Sequence, residues 1–212
     1  MRAYDSDMPC IATVTAQDPA AIADALHVYG ACRLTGFPDR AQSLALREEL
    51  LQLQAGDALR GAHVGHGSAR QHLGDVRGDA IVWLDDPRCG APAAACLRML
   101  DTLRAQLNRL LLLGIDEVEA HYACYPPGSG YLRHRDRFEG SRSRVLSLVS
   151  YLNPDWVDED GGALRLHLAQ GPVEVLPQLG TGVCFRSEIE HEVLPARRAR
   201  LSVAAWMRTR SG

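Results

Sequence analysis

Near Val118 the hydrophobic rhythm of the chain changes. Before that point apolar residues return every three or four positions, the period of a helix face; after it they alternate or cluster in short runs between turn residues, the habit of strands. In the first part, Asp18 and Pro19 lead into Ile22, Leu26 and Tyr29 with Gly30 behind them, which predicts a capped helix followed by a short strand, Ala31 to Thr35. Asp39 caps a second predicted helix that carries Leu44, Leu50, Leu51 and Leu53 and stops near Gly56. Pro92 opens a third, in which Leu97, Leu100, Leu103, Leu107 and Leu110 recur until Gly114. A strand is predicted at Ala80 to Leu84. Residues 55 to 78 break the pattern, because they hold six glycines and His63, His66 and His72 without helical period. Such a stretch predicts a long loop or ribbon, which a compact domain rarely keeps without a use.

Beyond the change of rhythm, short strands are predicted at Val118 to Tyr125, Tyr131 to His134, Val145 to Leu152, Ala163 to Leu168, Val173 to Leu176, Gly182 to Arg186, Glu192 to Pro195 and Leu201 to Arg208. Their near-regular spacing predicts an α+β fold with a double-stranded β-helix core, the jelly-roll or cupin-like arrangement. We expect a single domain over residues 1–212. In it, residues 1–114 supply helical support and a finger loop at about 60–79, and residues 115–210 supply the core.

Alternation also assigns faces. In Val145 to Leu152, Leu146, Leu148, Ser150 and Leu152 should pack on the helices, leaving Val145, Ser147, Val149 and Tyr151 in the barrel. In the last strand Arg200, Ser202, Ala204 and Trp206 share the inner face, opposite Leu201, Val203 and Ala205. His121, Ala123 and Tyr125 share a face in the same way.

Composition narrows the function. Over 212 residues the net charge is -3 and 46% of positions are apolar, with positive charges scattered, so no nucleic-acid face is expected. Six widely spaced cysteines without a CxxC pair, and no signal-peptide pattern, predict reduced thiols in a cytoplasmic protein, which we expect to be a monomer. The longest apolar run, Leu110 to Ile115, is too short to cross a bilayer, so no membrane partner is expected.

The candidate chemistry lies in His134-Arg135-Asp136, His191 and Arg200. Two imidazoles and one carboxylate can hold one face of an octahedral Fe(II), leaving three adjacent positions for a bidentate 2-oxo acid and dioxygen. His134 and Asp136, two apart on a strand, can aim at one ion; His191 must arrive from a distant strand. Arg200, an arginine pointing into a barrel among small residues, needs an anion, and its fork matches a carboxylate. It is therefore the candidate for the C5 carboxylate of 2-oxoglutarate, with the Tyr151 hydroxyl as second donor and Tyr125 within reach of the same pocket. Other polar features have plainer readings. His63, His66 and His72 fit a solvated glycine-rich loop better than a second metal site. Asp155, Asp158, Glu159 and Asp160 lack the spacing of a calcium loop and read as a solvated turn. Cys124 and Cys184 read as small buried apolar residues, and His121 as a hydrogen-bonded core histidine.

Several segments together carry a resemblance: Ala123-Cys124-Tyr125-Pro126, Gly130-Tyr131-Leu132-Arg133-His134-Arg135-Asp136, Tyr151-Leu152-Asn153-Pro154-Asp155-Trp156, Gly161-Gly162-Ala163-Leu164-Arg165 and His191-Glu192-Val193. With Arg77-Gly78-Asp79, Ile81 and Trp83, they resemble the prolyl hydroxylases of the hypoxia-sensing type and their bacterial relatives over roughly residues 20–208. The resemblance implies His134, Asp136 and His191 as iron ligands, and Arg200, Tyr151 and Tyr125 as the 2-oxoglutarate pocket. Fe(II), 2-oxoglutarate and dioxygen are then expected, with ascorbate as an accessory. It further implies a polypeptide substrate with a target proline, elongation factor Tu by analogy with bacterial members, contacted by Asp79, Arg144 and Trp206. Asp79 and Arg144 are expected to pair when the finger loop closes. Two departures stand out: Ala204 where relatives often carry a hydroxyl, and His121 where they often carry an apolar residue.

The expected reaction is oxidative decarboxylation of 2-oxoglutarate to succinate and carbon dioxide coupled to prolyl hydroxylation. Hydroxylation of a free amino acid or small metabolite is the alternative within the enzyme class, and a non-catalytic cupin-like binding or sensing module the alternative outside it. Asp136 argues against a halogenase, and the lack of a separate inward carboxylate against a zinc hydrolase.

Overall fold

A computed structural model describes residues 10–61, 77–137 and 143–210. Three helices cover one face of an eight-stranded sheet, and a four-stranded sheet faces the other side of it. The strands are β1 (Ala12–Thr15), β2 (Ala31–Thr35), β3 (Arg60–Gly61), β4 (Ala80–Trp83), β5 (Glu117–Tyr125), β6 (Tyr131–His134), β7 (Arg144–Tyr151), β8 (Leu164–Leu168), β9 (Gly171–Val175), β10 (Thr181–Arg186), β11 (His191–Val193) and β12 (Arg200–Arg208). The large sheet runs β1-β2-β10-β7-β12-β5-β4-β3 and the small one β6-β11-β8-β9. All pairings are antiparallel except β1 with β2. Two facing antiparallel sheets with helices outside agree with the expected double-stranded β-helix core. Most of the expected finger loop, with His63, His66 and His72, lies outside the described residues.

The helices are α1 (Pro19–Val28), α2 (Arg40–Ala55) and α3 (Ala91–Leu111). The Asp18 carboxylate accepts from Ala21 N at 3.0 Å and Asp39 from Gln42 N at 2.8 Å, so both predicted caps form. α3 has no side-chain cap of its own; Glu49 of α2 supplies one, accepting from Gly90 N and Ala93 N and from the Tyr122 hydroxyl of β5. One carboxylate thereby ties two helices to the sheet. α3 ends earlier than Gly114 indicates, with Leu112 in the left-handed region. On α2 the buried positions are Ser43, Leu46, Leu50 and Leu53, while Leu44 and Leu51 turn to solvent. The leucine-rich run offered two overlapping faces, and the sheet selected one.

The strands alternate as their pattern requires. Tyr122, Cys124, Leu146, Leu148, Leu201, Val203 and Ala205 face the helix layer, whereas Ala123, Tyr125, Tyr151, Leu164, Leu166, Val183 and Phe185 form a second cluster between the sheets. Val145 is the exception: it packs with the helix-side cluster, because the β7–β12 register shifts at Met207/Arg208. β1 and β3, four and two residues long, are too short for a periodic pattern to show in the sequence.

Candidate active site

β6 and β11 are antiparallel neighbours in which His134 and His191 stand directly opposite one another. Their rings are 4.2 Å apart by centroid, and Asp136, two residues beyond His134, brings its carboxylate to the same point. His134 Nε2 lies 3.8 Å from Asp136 Oδ1 and His191 Nε2 3.5 Å from Asp136 Oδ2; the ligating atoms of the three residues lie within 4.8 Å of one another. Each imidazole is oriented by the backbone: His134 Nδ1 is 2.7 Å from Leu132 O and His191 Nδ1 2.9 Å from Ile189 O. A carbonyl can only accept, so Nδ1 carries the proton and Nε2 presents its lone pair inward. Burial, reinforced by His191, pushes His134 down to about 4, which keeps that lone pair available at neutral pH. Burial alone would raise the Asp136 carboxyl, but His191, His134 and the Ser147 hydroxyl outweigh it and hold the group below its usual range.

Ser147 is a participant that sequence reasoning placed in the barrel without assigning it work. Its hydroxyl donates to Asp136 Oδ2 at 2.6 Å and lies 2.9 Å from Ser187 Oγ, all three residues being buried. Oδ2 is thereby held where it also faces His191, and Oδ1 is left toward His134. Hydrogen-bonded outer partners of this kind fix ligand orientation. The period-two alternation of β7 was the signal available for Ser147; Ser187 had none.

Arg200 faces Tyr125 across the β12–β5 pair, and Tyr151 stands opposite Ser202 on β7. Both rings flank the guanidinium, at 5.3 and 5.2 Å from its carbon. Nε donates to Gly162 O at 2.9 Å and Nη1 to Ser202 Oγ at 3.3 Å. Gly162 sits at φ +70, and a Cβ there would meet Ala196 Cβ at 2.8 Å, so glycine is required where that carbonyl turns inward. Arg200 Nη2 and the Tyr151 hydroxyl are buried without a protein partner, and no carboxylate among the described residues pairs with Arg200. A cation 1% exposed with two unsatisfied donors beside it fits an anionic ligand, and a terminal carboxylate matches both.

Two of the three remaining expected residues occupy the mouth. Trp206 and Arg144 line the cleft, and Arg144 stacks over the Trp206 ring at 3.7 Å. Asp79 does not line it. Its carboxylate is taken bidentately by Arg77, at 2.6 and 2.9 Å, while Arg144 binds Glu119 at 2.7 Å, so without substrate each of the two charges has another partner. Arg77 is the residue of the Arg77-Gly78-Asp79 turn that reaches the cleft, over Tyr131, whose ring stacks on His134 at 3.6 Å. Apolar Val149, Leu164 and Val193 complete the wall of a cleft that opens to solvent.

Residues 120–208 match the model of the 2OG-Fe(II) oxygenase superfamily. A hypoxia-inducible factor prolyl hydroxylase of Caenorhabditis elegans is 30% identical over 151 residues, 66% of this chain and 21% of that protein, so the chain spans about a fifth of that relative's length. A Pseudomonas putida prolyl-4-hydroxylase structure superposes with TM-score 0.82 at 38% identity, covering 92% of this chain and 100% of that one. A Trichoplax adhaerens prolyl hydroxylase, solved with a hypoxia inducible factor peptide fragment, gives 0.80 at 27% identity over 90% and 88% of the two chains.

Proposed function

The chain belongs to the 2OG-Fe(II) oxygenase superfamily, and from that premise we propose that it hydroxylates a prolyl residue within a polypeptide. The dependence on Fe(II), 2-oxoglutarate and dioxygen comes with the family, and His134, Asp136 and His191 fit the metal. One observation carries the co-substrate assignment: the buried, carboxylate-free Arg200 with its unpartnered Nη2 beside the unpartnered Tyr151 hydroxyl. Fe(II) held by His134, Asp136 and His191, with 2-oxoglutarate as co-substrate, would supply the oxidising power for inserting one oxygen of dioxygen into a C–H bond, the other oxygen going to succinate as carbon dioxide is lost.

The chain's own residues do the rest by geometry. Leu132 and Ile189 carbonyls fix the two imidazoles, Ser147 fixes the carboxylate, and Gly162 with Ser202 fixes Arg200. Val149, Leu164 and Val193 line the region between them with apolar surface. The polypeptide reading is supported by the open mouth, walled by Arg77, Tyr131, Arg144 and Trp206, and by the prolyl hydroxylases among the relatives, one of which was solved with a peptide. Elongation factor Tu is the candidate target, by resemblance to bacterial members, and a cytoplasmic location would go with it. No described helix is long and apolar enough to cross a membrane.

The test is mass spectrometry of host proteins incubated with the enzyme, Fe(II), 2-oxoglutarate and labelled dioxygen. One labelled oxygen on a proline establishes the class of substrate and names it. Label found only on a free amino acid or metabolite would replace this reading with the small-molecule one.

A further inference from the structure

His121 is 2% exposed and projects from β5 toward the cleft, where it packs edge-on against Trp83 (5.3 Å, 87°) and tilted against Trp206 (5.2 Å, 55°). Its two nitrogens have different partners. Nδ1 is 3.0 Å from Tyr122 O, and because a carbonyl only accepts, Nδ1 carries the hydrogen. Nε2 is then a bare lone pair, 3.2 Å from Arg77 Nη2, and a guanidinium only donates. The two contacts are mutually consistent for one tautomer of a neutral ring and for no other protonation state. Burial, with the Arg77 charge adding to it, pushes His121 down to about 4, in agreement.

Arg77 is correspondingly constrained. Asp79 takes Nε and one hydrogen of Nη2, His121 lies where the other Nη2 hydrogen points, and the plane of the fork rests over Tyr131 at 5.1 Å. Among the described residues no carboxylate or carbonyl accepts from Nη1, the Tyr131 hydroxyl being the protein group beside it, and the side chain lines the cleft. An apolar residue at position 121 would fill the space between the two tryptophans equally well but would leave an Nη2 hydrogen unmet in a largely buried place. Two positive charges at that distance would repel. A neutral imidazole with its lone pair outward satisfies both requirements.

We propose that His121 is a positioning residue for substrate recognition, a neutral acceptor that locks the Arg77 fork against Tyr131 so that its remaining edge serves as a fixed donor on the cleft wall. The acceptor such an edge suits is a backbone carbonyl of a polypeptide. A prolyl residue offers no N–H, so carbonyls are what its backbone presents for recognition. The last step rests on the prolyl-polypeptide reading of the cleft; the locking of Arg77 does not.

The experiment has two arms on the full chain. In the first, nitrogen NMR of the imidazole at neutral pH should show Nδ1 protonated and Nε2 bare, and the Nε2 signal should move in Arg77→Met. Exchange of the Arg77 Nε hydrogen should quicken about tenfold in His121→Phe and in His121→Met, the effect of losing one hydrogen bond to a charged group, and stay slow in His121→Gln, whose carbonyl can accept. An Nε2-protonated ring, or exchange that is the same in all variants, overturns the proposal. In the second arm, purified elongation factor Tu is the polypeptide probe. His121→Phe should weaken its KM about tenfold more than it lowers kcat and leave 2-oxoglutarate binding in place, and in an Arg77→Met background it should add nothing. Additive effects would mean that His121 acts otherwise than through Arg77. If the unmodified enzyme does not act on elongation factor Tu, that choice of substrate fails, while the NMR arm still decides the placement of Arg77.

Discussion

Tyr151→Phe should act in opposite directions on the ligand-free protein and on its complex. The ring is fully buried and stacks beside Arg200, so phenylalanine fills the same space and only the oxygen is lost. In the complex, a hydroxyl bonded to a carboxylate contributes about 1.5–3 kcal/mol, so 2-oxoglutarate should bind roughly 10- to 150-fold more weakly. In the ligand-free protein that hydroxyl has no protein partner, and a buried polar group without one costs about 1–3 kcal/mol. Removing it should stabilise the fold by on the order of 1 kcal/mol, which for a chain of this size is a rise of about 2–4 °C in Tm. Calorimetric titration of 2-oxoglutarate into the manganese-loaded protein without oxygen reads the first effect, and thermal melting in chelator reads the second. Unchanged 2-oxoglutarate affinity would refute the placement of its carboxylate between Arg200 and Tyr151, and would leave the buried guanidinium as a purely structural cation.

Other substitutions separate the parts of the site. Asp136→Ala should abolish metal binding, followed with cobalt, and hydroxylation, while circular dichroism shows the fold retained. Ser147→Ala should lower metal affinity about 10- to 100-fold by releasing the Asp136 carboxylate, and an unchanged cobalt titration would deny Ser147 that role. Glu49→Ala removes the acceptor shared by Gly90 N, Ala93 N and Tyr122, and should cost on the order of 2 kcal/mol, read in denaturant melts, without changing 2-oxoglutarate affinity.

How far the sequence reveals these arrangements depends on the range of the interaction. Period-two alternation sorted β7 and β12 into a helix side and a cleft side, and the His134–Asp136 spacing placed two ligands on one strand end, because both are properties of neighbours in sequence. The opposition of His134 and His191 across the β6–β11 pair is a matter of register, which the sequence allowed without fixing. Pairings among charged side chains were least legible. Asp79 had several arginines to choose from, and without substrate it pairs with Arg77, two residues before it. Ser187 and the Glu49 cap depend on approaches between distant segments that no local pattern announces.

The division of β12 into two faces explains how the fold tolerates the site it holds. Leu201, Val203, Ala205 and Met207 join the cluster beneath the helices, and the buried Leu201, Val203 and Met207 side chains each contribute roughly 1.5–3 kcal/mol. Arg200, Ser202 and Trp206 face the cleft from the same strand, and Arg200 Nη2 and the Trp206 indole N–H are buried there without a partner. Each such group costs about 1–3 kcal/mol, so one strand's inner face gives back much of what its outer face supplies. A compensating arrangement is needed nearby, and the helix layer provides it through Leu50, Leu100, Leu103 and Leu107, which pack on the opposite side of the same sheet. The unmet donor of Arg200 is then tolerable without ligand and becomes a favourable contact when a carboxylate arrives. The outer layer therefore bears on function as well as stability: a cavity-forming change such as Leu100→Ala, costing about 2–5 kcal/mol, should unfold the ligand-free protein far more readily than the protein saturated with metal and 2-oxoglutarate, because the ligands satisfy the groups that the weakened core can no longer offset.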